Sequence, residues 1–167
     1  MSDPFLKPFI VYSVMFLFLV SCATVVIEKR KGTGRPKFSS LKIDGLTYEL
    51  NSEGKYTPSE PLKLFLKIKN TGQSTRTFEI NDNRLAGINV ENEYSEKVIS
   101  VGIKADEHVR GGKLRLAPGA GRSFEFEINT TDPGFEEASI ISATVRLLFL
   151  PKKFRRNSLS VYVEKEN

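Results

Sequence analysis

From residue 41 onward the chain alternates apolar and polar side chains with a period of two almost throughout. That pattern confines it to strands with one buried and one wet face, because successive strand side chains point to opposite sides of a sheet. In LKLFLKIKN, Leu62, Leu64, Leu66 and Ile68 share one face and Lys63, Lys67 and Lys69 the other. Phe124, Phe126 and Ile128 alternate with Ser123, Glu125 and Glu127, and Leu159, Val161 and Val163 with Ser160, Tyr162 and Glu164. ATVRLLFL groups Ala143, Val145, Leu147 and Phe149, while Leu148 and Leu150 imply partial cover on the other side, so a strand is expected over 139–150. Weaker strands are expected near 41–50, 74–81, 86–92, 97–104 and 113–116. Asn70-Thr71-Gly72, Ala117-Pro118-Gly119 and Asp132-Pro133-Gly134 separate these runs, and proline followed by glycine suits the central positions of a type II turn. Outside the N-terminus no stretch of ten or more residues keeps a helical period. The pattern predicts an all-β antiparallel sandwich over residues 41–167, with Leu66 and Phe126 buried between the sheets.

Two segments carry a resemblance. KNTGQSTRTFEI and the later RLAPGAGRSFEFEI resemble bacterial immunoglobulin-like domains, whose second and third strands flank a turn of the N-T-G type. Leu116, Pro118, Gly119 and Phe124 also form an L-x-P-G-x-x-x-x-F run similar to that of a bacterial family of small intracellular proteinase inhibitors. The resemblance spans roughly residues 60 to 165 and implies an immunoglobulin-like β-sandwich of about seven to nine strands. Its positions are those of turns and core, so it speaks to fold rather than activity. With one cysteine and no tryptophan, the chain lacks the inter-sheet disulfide and core tryptophan of antibody domains.

The N-terminus sets the expected compartment. Phe9 to Val20 are twelve apolar or small residues, the length of a signal-peptide core. Leu19, Val20, Ser21 and Cys22 follow the pattern of a lipobox and resemble the signal of bacterial lipoproteins. That resemblance implies removal of residues 1–21 and a diacylglycerol thioether on Cys22. An uncleaved anchor is the alternative, since the uncharged run Phe9 to Ile27 spans close to ~30 Å as a helix, with Lys29, Arg30 and Lys31 favouring a cytoplasmic flank. Plain cleavage after Ala23 is another. Residues 22–40 read as a basic, flexible tether reaching roughly 20 to 25 Å. Ala23 offers no acidic retention signal, which points to the outer membrane of a bacterial cell envelope.

Chemistry is sparse. His108 is the single histidine and sits in the polar stretch KADEHVRGG, a solvated loop rather than a general base. Gly112-Lys113 is followed by Leu114, which breaks a phosphate-binding loop, and Leu85 and Ala86 spoil a calcium loop begun by Asn81-Asp82-Asn83. Glu136 and Glu137 would face opposite sides of a strand. The expectation is a non-enzyme without cofactor or metal. Against 20 acids the chain has 25 lysines and arginines, a formal charge of +5. Lys152, Lys153, Arg155 and Arg156 surround Phe154 in PKKFRR. They suggest an anion-seeking tip with an apolar probe, suited to anionic lipid, polysaccharide or an acidic envelope protein. Nucleic acid is not expected, because export removes the protein from it and no aromatic stacking platform is evident. With 62–70 as strand B and 139–150 and 157–163 as F and G, the 70–74 turn and the 151–156 loop share one end. A first strand antiparallel to B would begin there, placing the tether beside the basic loop. The reading is a lipid-anchored envelope protein that binds or scaffolds; the alternative is an inhibitor of exported proteases.

Overall fold

The longest alternating runs lie at the centre of the first sheet. A computed structural model describes residues 37–105, 109 and 112–166. In it β4 (Leu62–Asn70) pairs antiparallel with β2 (Leu46–Ser52) on one side and β9 (Gly121–Ile128) on the other. β1 (Phe38–Ile43) completes a sheet of order β1-β2-β4-β9. Leu62, Leu64, Leu66 and Ile68 all face inward, as the alternation requires, and Leu66 and Phe126 are 0% and 1% exposed.

The second sheet has the order β3-β11-β10-β6-β7, from β3 (Lys55–Tyr56), β6 (Arg84–Asn92), β7 (Lys97–Lys104), β10 (Ile140–Leu147) and β11 (Leu159–Lys165). All pairs are antiparallel except β3 with β11. β2, β4 and β9 stand as strands A, B and E, facing β6, β10 and β11 as C, F and G, with β7 added as C′. This is an immunoglobulin-like sandwich. A side sheet of β5 (Arg76–Glu79) and β8 (Lys113–Leu116) brings the strands among the described residues to eleven, nine of them in the two main sheets.

Several sequence expectations need correction. The single strand over 41–50 is a hairpin, with Ile43 paired to Leu46 across Asp44 (φ 49°) and Gly45 (φ 76°). Two consecutive positive φ values in a two-residue loop make a type I′ turn, whose twist matches that of its strands. The added strand reverses the direction from which the chain arrives. Phe38 lies in register with Asn51 and Phe65, near the middle of β4, so β1 begins at mid-height rather than at the 70–72 turn, and the placement of the tether beside the basic loop lies outside the described residues. Phe38 to Ser40, read from sequence as the end of the tether, belong to β1. β10 stops at Leu147 rather than 150. Asp132-Pro133-Gly134 is no type II turn but the start of a short helix α1 (Pro133–Glu137): Asp132 Oδ1 accepts from the Gly134 amide at 2.9 Å and proline takes the first turn. Glu136 and Glu137 are exposed helix residues, not strand residues. Ala117-Pro118-Gly119 does make the expected type II turn, with Gly119 at φ 76° and the Ala120 amide donating to Ala117.

The two sheets are joined at both ends. At one, the β3–β11 pair and a hydrogen bond from the Ser59 amide to Thr130 O tie them together. Tyr56 stacks edge-on to Phe135 at 6.0 Å. At the other, Phe78 of β5 meets Phe149, just past β10, at 5.3 Å. Among the described residues no helix is long and apolar enough to cross a membrane. The predicted signal segment, Leu19, Val20, Ser21, Cys22 and most of the tether, as well as His108, lie outside the described residues.

Candidate functional site: the basic end of the sandwich

The PKKFRR loop follows β10 and opens with Pro151 in an extended conformation. Lys152 to Phe154 form one turn of 3-10 helix, closed by hydrogen bonds from the Phe154 amide to Pro151 O (2.8 Å) and from the Arg155 amide to Lys152 O (3.3 Å). Arg155 Nε donates to Leu150 O at 3.0 Å. Phe154 is 8% exposed, so it is not an apolar probe. Its ring is the loop's anchor in the core, and the Lys153 ammonium lies 4.7 Å from the ring centre. Burial of Phe154 leaves Lys152, Lys153, Arg155 and Arg156 exposed on a folded loop.

Beside the loop runs an open groove of about 440 Å³, floored by Phe78, Phe149, Leu150 and Pro151 and rimmed by Arg84, Arg155, Glu79 and Asp82. Asp82 on its rim and the neighbouring Asn83 both have positive φ, 58° and 51°. The Lys113 ammonium lies 3.5 Å from Glu79.

The loop belongs to a larger asymmetry that strand register reveals. Leu66 marks the middle of β4, and residues sort to either side of it by their pairing. Towards the 70–72 turn, the first sheet carries Lys42, Lys67, Lys69 and Arg122, and the second Arg84, Lys104 and Arg146. The side sheet adds Arg76, Lys113 and Arg115 at the same end. With the loop's four cations that makes fourteen among the described residues, against four described acids: Asp44, Glu49, Glu79 and Asp82. At the opposite end the balance inverts. The β2–β4 connection gives Glu53 and Glu60, the β6–β7 hairpin Glu91, Glu93 and Glu96, and β9 Glu125 and Glu127. Asp132, Glu136 and Glu137 at α1 and Glu164 and Glu166 at β11 bring the described acids there to twelve. Five lysines, residues 37, 55, 63, 97 and 165, oppose them. Sequence reasoning found the contiguous basic run at 152–156 and missed the other cations of this end. The other cations are scattered along the chain, and only pairing gathers them.

The chemistry of this end is electrostatic. Among the described residues no three histidine, cysteine, aspartate or glutamate side chains come together as a metal site. The two buried phenols, Tyr48 and Tyr56, have their pKa raised by burial above all, so both are neutral at ordinary pH.

No protein-family profile and no curated protein matches the sequence. Several solved structures are similar in shape. The sporulation control protein Spo0M of Bacillus subtilis aligns with a TM-score of 0.47 at 12% identity, over 75% of this chain and 51% of that one. The CARDB domain of a Pyrococcus furiosus protein, solved in complex with di-metal ions, gives 0.39 at 11%, over 72% and 87%. The C-terminal domain of wzt gives 0.40 at 11%, over 80% and 76%. At these values the likeness assigns no residue a role.

Proposed function

We propose that this chain is a lipid-anchored protein of the bacterial cell envelope, outer membrane included, that works by binding or scaffolding rather than catalysis. The observation that carries the binding part is the charge segregation: among the described residues, one end of the sandwich presents fourteen cations against four acids to an anionic partner. The anchoring part rests on Leu19, Val20, Ser21 and Cys22 behind an apolar segment. Metabolic labelling with a fatty acid tests it. Wild-type chain should take up label and lose residues 1–21 by intact mass, and Cys22→Ala should do neither. Label on both, or an intact N-terminus on wild type, would return the segment to an uncleaved anchor.

A further inference from the structure

We infer that the basic end is the face this domain lays on an anionic phospholipid bilayer, with the acidic end held away. The inference rests on the membrane-anchored reading above and adds to it a fixed orientation. β4 has nine residues, so the ends lie about 30 Å apart at ~3.3 Å per residue. Screening acts over about 10 Å at 0.1 M salt. A charged surface therefore acts on each end separately, drawing in the ten excess cations of the described residues at one and repelling their seven excess acids at the other. Cations mixed evenly with acids over the whole surface would attract without orienting.

Geometry favours an extended surface over a small anion. The cations come from both main sheets, the side sheet and the 152–156 loop, so they cover the whole end rather than converge on a point. At that end the groove between Arg84 and Arg155 holds Phe78 and Phe149, a polar rim over an apolar floor, as interfacial sites have. Fifteen residues separate Cys22 from Phe38, giving a tether of roughly 20 Å. Phe38 sits near mid-height on the first sheet, so this length lets the basic end reach the bilayer.

The chain has no tryptophan, so a single introduced one reports cleanly. Ala117→Trp places it on an exposed turn at the basic end, and Tyr94→Trp at an exposed position, 77% accessible, at the acidic end. Both full-length, lipidated chains are reconstituted on phosphatidylglycerol or phosphatidylcholine vesicles carrying quencher lipids. On anionic vesicles at low salt, quenching of Ala117→Trp should exceed that of Tyr94→Trp at least threefold. The asymmetry should vanish at about 1 M salt, where screening shortens to about 3 Å. It should also vanish on phosphatidylcholine and when Lys152, Lys153, Arg155 and Arg156 all become glutamate. Equal quenching of both reporters in vesicle-bound protein overturns the inference. So does a salt-sensitive gain in mass without vesicles that replaces the asymmetry, since that assigns the basic end to the acidic end of a second copy. Retention on vesicles at high salt reads the lipid anchor separately. Its loss with the asymmetry intact sinks anchoring and leaves the docking face standing.

Discussion

Two buried tyrosines with opposite hydrogen-bond accounts show how single atoms set stability in this chain. The Tyr48 hydroxyl is fully buried with no hydrogen-bond partner, while the Tyr56 hydroxyl has one proton shared between the carbonyls of Ala138 and, at 3.1 Å, Phe135. Leaving a buried hydroxyl unpaired costs about 1–3 kcal/mol, and a paired one contributes about 1 kcal/mol. Tyr48→Phe should therefore stabilise the domain by about 1 kcal/mol and Tyr56→Phe destabilise it by about 1–2 kcal/mol, measured by urea denaturation. The pH dependence follows in sign. Burial first, then Glu93 and Glu136, pushes the Tyr56 pKa up to about 12 from 10.0, so folding favours the neutral phenol. That contribution is intact below pH 10 and is lost as pH rises towards 12. Tyr56→Phe should make the alkaline loss of stability shallower than in wild type. Sequence placed neither hydroxyl, because whether a phenol finds a carbonyl 79 residues away depends on how the two sheets close.

At the scale of elements, Asn70 does what a strand terminus needs. It is wholly buried, and its amide nitrogen donates to Ser74 O (2.8 Å) and Leu116 O (3.0 Å), while Oδ1 accepts from the Gly72 amide. Its backbone bonds to Gly119 and Ala120 as well, so one residue joins the ends of β4 and β8 to the turn before β9. Asn70→Ala should cost about 2–4 kcal/mol, because it strands several buried groups at once, and thermal unfolding will read it. The N-T-G signal marked this turn but not its role as a junction, which is a long-range fact. Strand phase was legible throughout the long runs because one buried face fixes register. The first hairpin is legible too: Asp44-Gly45 between alternating apolar residues is a strong short-range hairpin signal. Gly45 is held to that turn twice, by its φ of 76° and by a Cβ position only 3.3 Å from Gly72 Cα. The buried Phe154 was not legible, since an aromatic among four cations reads as exposed until the core beneath it is seen.

For the molecule as a whole, the core does the work that a disulfide does elsewhere. Leu66 and Phe126 sit at its centre from neighbouring strands, β4 and β9, two residues out of register. Truncating either to alanine should cost about 2–5 kcal/mol, much of the stability of a domain this size, by chemical denaturation. A cost near zero would mean their strands pack differently. The basic and acidic ends, by contrast, hardly enter folding. Exposed ion pairs such as Lys63 with Glu125 (3.5 Å) contribute little, so the charge pattern is free to answer to a partner.

β7 closes the second sheet with eight residues that, among the described residues, have no strand on their outer side. Its VISVGI stretch combines high strand propensity with no charge, the composition from which fibrils grow by edge-to-edge addition. Lys97 and Lys104 bracket that stretch, and pairing with β6 is broken by irregularities near both ends, between Arg84 and Ala86 and between Val90 and Glu91. Both devices keep a second molecule from extending the sheet. Replacing the two lysines with threonine should leave the unfolding midpoint nearly unchanged and shorten the lag before thioflavin-positive aggregates appear. The same edge that ends the fold also decides how concentrated this protein can be kept in solution.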